Sequence, residues 1–378
     1  MKKYMLFFLA HSLAFGLGGI EIGTSQSPGA VANPAQTATI STESPFYNPA
    51  ASSFLDTGDY VYFGLLGVFP KYTIKYEGKT VAKTTTTQPL PSFTYIKNQE
   101  KIGYFIAAGS LGQGGFLKYN VAYDRIKNLD ITAFNPGIIT GVSYKFKNDL
   151  SAAFSLRMLY SKMEAKGRID TGQGVHSDIK AFGIAPEISV FYKYNENLDL
   201  GAKFLFRTKL DYDGRIKTDD GNIANTILAK FSRDHRKDFP SVLSLGLGYN
   251  LTDKDRVSLG YNAIFERDKE FAEDLYSKYK NTYEYLFGYE RVLNEKFKWM
   301  LGYGYIDKGK NDHPVADMTQ LSCHQISTGI KYKYSETINI TASLGGNFYK
   351  SNTSNLLKYE IETTRREILF GVAFEKKF

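Results

Sequence analysis

The sequence predicts an all-β protein, a 14-stranded antiparallel transmembrane β-barrel. Three observations favour this fold. Apolar and polar residues alternate along most of the chain, short polar turns alternate with longer connections, and an amphipathic strand ends at the last residue, Phe378. The alternation is clear from Ile338 to Phe348, where even positions are apolar or glycine and odd positions are Asn, Thr, Ser or Gly. Such a period of two predicts a strand with one apolar face and one polar face.

The same alternation recurs along the chain, with no comparable helical period. We expect fourteen strands, at about 59–76, 91–97, 102–111, 137–146, 150–165, 178–194, 198–215, 240–250, 256–268, 280–292, 297–307, 322–334, 338–350 and 358–378. Most of them reach the roughly 9 to 11 residues that a tilted strand needs to cross a bilayer.

The connections between these strands favour a membrane barrel over a soluble sandwich. Six are short polar turns, such as Lys147-Asn148-Asp149 and Ser335-Glu336-Thr337. Between them lie longer segments, at about 77–90, 112–136, 166–177, 216–239, 269–279, 308–321 and 351–357. Short periplasmic turns and longer external loops are typical of bacterial outer-membrane barrels. The sequence therefore predicts the outer membrane of a Gram-negative cell, with outer-membrane lipids around the barrel.

Composition excludes several other classes. The 47 Lys and Arg against 39 Asp and Glu give a net charge of +8, but these charges are scattered, so no nucleic-acid partner is expected. One cysteine, Cys323, excludes a disulfide scaffold and a cysteine zinc site. A mean hydropathy of −0.31, without a long apolar run, argues against a bundle of membrane helices.

The first residues have the layout of a secretory signal peptide. Lys2 and Lys3 precede the apolar run from Tyr4 to Ala10, and small residues follow. We expect residues 1–16 to be removed, by cleavage after Ala14 or Gly16. The alternative is a short buried first helix.

Residues 17–58 show little alternation and are rich in Gly, Pro, Ser, Thr and Ala. A barrel of this size has a lumen that must be filled or must conduct. We expect this segment to form a hatch, or plug, inside the lumen of the barrel formed by residues 59–378. A flexible periplasmic tail is the alternative.

Short motifs resemble one known family. Phe46-Tyr47-Asn48-Pro49-Ala50-Ala51 is similar to the signature closing the N-terminal hatch of FadL/TodX-type outer-membrane transporters of long-chain fatty acids and other hydrophobic molecules. Phe239-Pro240-Ser241 and the stretch from Gly109 to Gly115 also resemble segments of that family. The resemblance implies that Asn48, Pro49 and Ala50 form the hatch motif.

The resemblance also implies a side opening in the wall at the third strand. The candidates for it are Gly109, Gly112, Gly114 and Gly115. The chain departs from the family here, because no proline lies between Pro91 and Pro136. The C-terminal Phe378 resembles the terminal aromatic that the barrel-assembly machinery reads, although Lys376 departs from that pattern.

Two further sets of residues are candidates for ligand binding. The first is a ligand-capture loop at 112–136, which is unusually apolar and either binds a ligand or packs on itself. Its candidates are Phe116, Leu117, Tyr119, Val121 and Phe134. The second set consists of cations that strand parity turns toward the lumen, where they would meet a carboxylate or serve as ordinary lumen charges. Its members are Arg157, Lys203, Arg207, Lys331 and Lys333.

The resemblance, together with these features, implies a passive importer of hydrophobic molecules, most of all long-chain fatty acids, with aromatic hydrocarbons as the other ligand class. Exit would be lateral or through the hatch. No enzyme activity, cofactor or metal is expected. The alternatives are a general porin with a periplasmic tail, a surface adhesin, and a lipid hydrolase using His176 or His324. A metal site at Asp312, His313 and Asp317 is a further alternative.

Overall fold

The structure is a computed structural model. It describes residues 27–76, 78–85, 87–112, 115–123, 126–169, 174–218, 235–236, 238–266, 280–308, 321–356 and 359–378. The expected signal peptide, 1–16, lies outside the described residues, as do positions 17–26 of the expected hatch.

The described residues form twenty strands. They are β1 (Gly58–Tyr76), β2 (Lys79–Thr85), β3 (Gln88–Gln99), β4 (Ile102–Ser110), β5 (Gly115–Tyr123), β6 (Ile126–Phe134), β7 (Pro136–Lys147), β8 (Leu150–Ile169), β9 (Gly174–Lys193), β10 (Leu198–Leu205), β11 (Asp211–Thr218), β12 (His235–Arg236), β13 (Val242–Asn250), β14 (Asp255–Ile264), β15 (Thr282–Val292), β16 (Phe297–Asp307), β17 (Cys323–Lys333), β18 (Ile338–Tyr349), β19 (Asn352–Leu356) and β20 (Tyr359–Lys377).

Fourteen of these strands form a closed antiparallel barrel, which confirms the predicted fold class. The order around the wall is β1, β3, β4, β7, β8, β9, β10, β13, β14, β15, β16, β17, β18 and β20. The ring closes where β20 pairs with β1, from Tyr60 opposite Lys377 to Tyr76 opposite Ile361.

Three predicted loops and one predicted strand need correction. The loop at 112–136 contains the hairpin β5–β6, and the loops at 77–90 and 351–357 contain β2 and β19. These extra strands pair with the long strands β1, β8 and β20, which reach beyond their wall neighbours and would otherwise leave backbone groups unpaired. The predicted strand at 198–215 is interrupted after Leu205 and resumes as β11.

The two faces of the wall differ in polarity. Phe154, Ile188 and Leu344 are about half exposed and point outward, whereas the neighbouring Ser155 and Ser343 are buried and point inward. Exposed aromatic side chains lie beside the short turns and at the C-terminus, among them Phe146, Tyr194, Tyr334 and Phe378. An apolar exterior with aromatic residues at its border suits a lipid bilayer.

Among the described residues, no helix has the length and apolar character that crossing a membrane requires.

Residues 27–57, here called the luminal segment, form four short helical turns before the first strand. These are the α-helices Pro28–Ala32 and Ser44–Tyr47 and the 3-10 helices Gln36–Ala38 and Pro49–Phe54. Proline near the start of a helix has no N–H to leave unpaired, and a side-chain oxygen before it caps the free donors. Ser27 accepts from Ala30 N at 3.3 Å, and Asn48 accepts from Ala50 N at 3.2 Å.

The luminal segment contacts strands all around the ring. Pro28–Ala32 contacts β1, β16, β17, β18 and β20, and Gln36–Ala38 contacts β10, β13 and β14. Pro49–Phe54 contacts β3, β4, β7, β8 and β9. A buried segment that touches the inner face of so many strands of a closed ring lies within the barrel.

Wall glycines make room for this segment. A Cβ at Gly288 would collide with the Asn33 side chain, and one at Gly201 would collide with the Thr37 carbonyl. At five further wall glycines a Cβ would stand 2.5–2.9 Å from atoms of the luminal segment; they are Gly64, Gly246, Gly302, Gly329 and Gly371. Any larger residue at these positions would have to displace side-chain or backbone atoms of the luminal segment, so wall and segment are matched in shape.

We expect Gly288→Val to displace the luminal segment while the barrel still closes. The added side chain would overlap Asn33, which donates to Glu290 at 2.8 Å, and overpacking of this kind costs about 1–3 kcal/mol. Chymotrypsin cleavage after Phe46 or Tyr47, both buried in the wild type, should accelerate by about tenfold.

Gly304→Val is the matched control, because a Cβ there would meet only the Leu286 and Gln325 side chains. Equal cleavage rates in the two variants would contradict the close fit.

Candidate functional site

The wall opens locally between β3 and β4. Their ladder ends at the pair Ser92 and Gly109, although β3 continues back to Gln88. Pro89 and Pro91 lie in this unpaired part, and proline has no N–H to donate to a neighbouring strand. The predicted second strand begins only at Pro91, so the prediction does not include this break.

Beyond this point the chain after β4 turns inward at Leu111 and Gly112. Leu111 is fully buried and donates its N–H to the Asn135 carbonyl at 2.9 Å. Gly112 lies against the Phe239 ring, so close that a Cβ would stand 2.8 Å from it. Only glycine permits this approach. We call residues 111–112 the strand-three kink, because they follow β4, which is the third strand of the barrel wall.

An apolar cleft of about 530 Å³ lies at this break in the wall. Its lining includes Gly109, Ser110 and the Pro89-Leu90-Pro91 stretch. The remaining walls are mainly outward-facing side chains, among them Phe63, Phe93, Phe134, Ile138, Tyr160 and Phe182. The cleft is therefore continuous with the apolar exterior of the barrel.

The inner end of the cleft meets the luminal segment. A Cβ on Gly109 would point inward and lie 3.7 Å from the Phe46 ring and 3.3 Å from the Pro91 carbonyl. Because Gly109 has no side chain, nothing from β4 separates the cleft from Phe46 at this point. The predicted opening residues Gly109 and Gly112 thus lie at the break; Gly115 begins β5, and Gly114 lies outside the described residues.

Two of the five predicted lumen cations lie together behind the cleft. Arg157 on β8 is 3% exposed and donates to the Leu111 carbonyl of the kink. Lys203 on β10 is equally buried, donates to the Phe46 carbonyl at 2.7 Å and stands 3.5 Å from the Glu187 carboxylate. This buried group contains two cations and one anion. Glu187 is not among the predicted site residues, since a lone inward carboxylate has no distinguishing sequence pattern.

The other three cations are paired elsewhere. Arg207 lies in the interruption between β10 and β11 and pairs with Asp238 at 3.3 Å. Lys331 pairs with Glu375, and Lys333 with Glu336, both at 2.7 Å. Carboxylate binding by any of the five stays a prediction.

The predicted hatch motif anchors the luminal segment to β8 and β9. Asn48 donates to the carbonyls of Thr37 at 2.8 Å and Val190 at 3.1 Å. Ala50 N donates to Ser189 Oγ at 3.0 Å, and its carbonyl accepts from Ser151 Oγ at 2.8 Å. Pro49 begins the following 3-10 helix. The asparagine therefore bonds both within the segment and to the wall.

The predicted capture segment is a hairpin rather than an irregular loop. Phe116, Leu117, Tyr119 and Val121 lie on β5, which pairs with β6. Phe134, at the end of β6, is 48% exposed and lines the cleft. Among the predicted capture residues whose side chains the structure describes, Phe134 is the one that lines the cleft.

The candidates for catalysis do not converge in the described part of the chain. His176 bonds Glu164 at 2.8 Å, and His324 bonds the Tyr303 hydroxyl at 2.9 Å; neither hydrogen bond involves a serine. Within the described ranges, no three His, Cys, Asp or Glu side chains form a group that could hold a metal. Asp312, His313 and Asp317 lie outside those ranges.

A buried carboxyl inside the luminal segment responds to pH. Glu43 is 4% exposed and accepts a hydrogen bond from Ser27, which also bonds the Tyr47 hydroxyl at 2.8 Å. Burial raises the pKa of the Glu43 carboxyl to about 7, opposed by the Ser27 hydrogen bond and reinforced by the charge of Glu375. Lys331 faces the same carboxyl and acts in the opposite direction.

We expect the wild type to lose stability relative to Glu43→Gln as pH rises from about 4.5 to about 7. Because the folded state holds this proton more tightly than the unfolded state, Glu43 costs stability once it ionises, by at most about 1.4 kcal/mol per pH unit. The difference in thermal unfolding midpoint between the two proteins, measured from pH 4.5 to 8.5, checks this. A difference that does not change with pH would show that Glu43 keeps an ordinary pKa.

No protein-family model matches this sequence, and no curated protein matches it. Solved structures do match. A FadL homologue of Pseudomonas aeruginosa superposes with a TM-score of 0.73 and 12% identity, over 97% of this chain and 98% of that chain. The P. putida toluene transporter TodX gives 0.74 and 14%, over 95% and 99%. The Ralstonia pickettii toluene transporter TbuX gives 0.66 and 14%, over 96% and 100%.

The chain is thus a closed antiparallel β-barrel with an apolar outer face, the class of a transmembrane barrel. Its fold is that of the FadL/TodX-type channels, over nearly its whole length.

Proposed function

We propose that this protein is a passive outer-membrane transporter of hydrophobic small molecules, with the luminal segment as its hatch. The observation that carries the proposal is the apolar cleft at the break between β3 and β4, with Phe46 of the luminal segment directly behind Gly109. Its volume falls in the range of roughly 300–1,000 Å³ that is usual for pockets binding drug-sized ligands. The likeness to solved hydrocarbon channels supports the same function.

The position of the cleft favours lateral exit over release into the periplasm. A hydrophobic molecule gains about 25 cal/mol for each Å² of apolar surface that leaves water, so a path from the lumen into lipid is downhill without an energy source. The luminal segment bonds to wall residues beside the short turns and so occupies the lumen there: its Ala50 carbonyl accepts from Ser151 Oγ, and its Ala38 carbonyl accepts from Arg256. Side-wall exit avoids that obstacle.

Charge favours a ligand with a carboxylate. Among the described residues, one carboxylate, Glu187, lies 3.5 Å from Lys203 and is a diagonal neighbour of Arg157, so the buried group behind the cleft has one positive charge in excess. An uncompensated charge in a low-dielectric interior attracts an anion strongly. We therefore propose long-chain fatty acids as the first ligand class and aromatic hydrocarbons as the second.

A general porin fits this arrangement less well. Free diffusion of polar solutes needs an open lumen. The luminal segment instead bonds to the wall at two sites, through Asn33 of the stretch Asn33-Pro34-Ala35 to Glu290 and through Asn48 of the hatch motif to Val190.

We expect Gly109→Leu to reduce uptake of a labelled long-chain fatty acid by about tenfold, because the new side chain would fill the contact between the cleft and Phe46. The measurement is uptake by intact cells that produce equal amounts of folded barrel. Labelled toluene, assayed in parallel, separates the two ligand classes.

Gly346→Leu is the matched control. Gly346 is also a wall glycine, but a Cβ there would meet the outward Phe348 ring on the lipid side of β18, away from the cleft. If Gly109→Leu transports both compounds as fast as Gly346→Leu, the cleft is not the path.

A further inference from the structure

The buried charged group touches two parts of the molecule that a transporter would have to move. Lys203 donates to the Phe46 carbonyl in the luminal segment, at 2.7 Å. Arg157 donates to the Leu111 carbonyl in the strand-three kink. Each cation therefore holds the backbone of a different element, and neither element belongs to a regular wall strand.

Glu187 is a neighbour of both cations. It is opposite Ser155 in the ladder of β8 and β9, and Ser155 donates to its Oε1 at 3.1 Å. Arg157 is two residues further along β8, a diagonal neighbour whose charge interacts with Glu187. On the other side, Lys203 Nζ stands 3.5 Å from Glu187 Oε2.

One buried carboxylate interacts with two buried cations here, so movement of either cation changes its interaction with the other. All three side chains are no more than 3% exposed, so water cannot replace a lost partner without opening the site. If the luminal segment withdrew Phe46, Lys203 would lose an acceptor and draw closer to Glu187. The charge interaction between Glu187 and Arg157 would then change, and with it the hydrogen bond from Arg157 to the Leu111 carbonyl.

We infer that Glu187 couples the position of the luminal segment to that of the strand-three kink, with Lys203 as the contact to the first and Arg157 as the contact to the second. This coupling would link the hatch to the wall opening on the proposed transport path, and that role rests on the proposed function. The test of the coupling does not rest on it, because the test measures movement of the luminal segment and of the kink directly.

The experiment places a reporter cysteine at the kink. Leu111 is fully buried, so in a Cys323→Ser background a cysteine introduced by Leu111→Cys reacts with a maleimide only when the kink opens. Chymotrypsin cleavage after Phe46 reports the luminal segment in the same preparation. Heat-modifiable migration on a gel verifies that each barrel is folded.

We expect Lys203→Met and Glu187→Gln each to raise the maleimide rate at position 111 by about fivefold or more, the lower end of typical coupling between sites. Glu375→Gln is the matched control. It removes another buried carboxylate from a wall lysine, Lys331, but neither residue contacts the kink by any described hydrogen bond. The rate at 111 should stay unchanged in this control.

A reciprocal measurement covers the case in which a charge variant does not fold. The hydroxyls of Ser52 and Ser143 are 3.1 Å apart, so Ser52→Cys with Ser143→Cys can lock the luminal segment to β7 by oxidation. Locking should slow the maleimide reaction at 111 relative to the reduced protein.

The inference is overturned if Lys203→Met frees the luminal segment, as cleavage after Phe46 would show, while the rate at 111 stays at the wild-type value. It is equally overturned if locking leaves that rate unchanged. Absence of hydrophobic uptake by the wild type would remove the proposed function but would leave these labelling results to decide the coupling.

Discussion

Closure of the backbone ladder between the first and last wall strands is the constraint on which the rest of this structure depends. Lipid offers no hydrogen-bond partner, so a chain that crosses it as strands must pair every edge. Here β20 pairs with β1 along nearly the whole length of both strands. A ring of fourteen strands then encloses a lumen too wide for wall side chains to fill, and residues 27–57 occupy it.

A closed ladder also dictates how the wall can be opened. An unpaired backbone group costs free energy, so a break must be placed where donors are already missing. Pro89 and Pro91 remove two N–H groups from the edge of β3, and the facing chain turns inward at Leu111, whose N–H and carbonyl find Asn135 and Arg157. The same break exposes the apolar cleft and brings the luminal segment to its inner end. The apolar cleft and the contact of its inner end with the luminal segment are thus consequences of a single interruption.

Part of the candidate site could be predicted from the sequence. Strand parity turned Arg157 and Lys203 toward the interior, where both are buried, and the family resemblance implied a side opening at glycines that include Gly109 and Gly112. Glu187 could not be predicted, because the partner of a buried cation depends on the register between neighbouring strands. Parity does not apply to Arg207, because it assumes an unbroken strand and β10 ends at Leu205. Arg207 lies in the interruption after it and pairs with Asp238.

The sequence by itself determined the number and order of the wall strands and the position of their turns, because a two-residue alternation is a local property that each strand displays alone. It also indicated that the segment before the first strand was no part of the wall. Only the tertiary structure decided where the wall opens and which charges meet behind the opening. Those depend on register between strands distant in the chain and on the fit of Phe46 against Gly109, which no local pattern encodes.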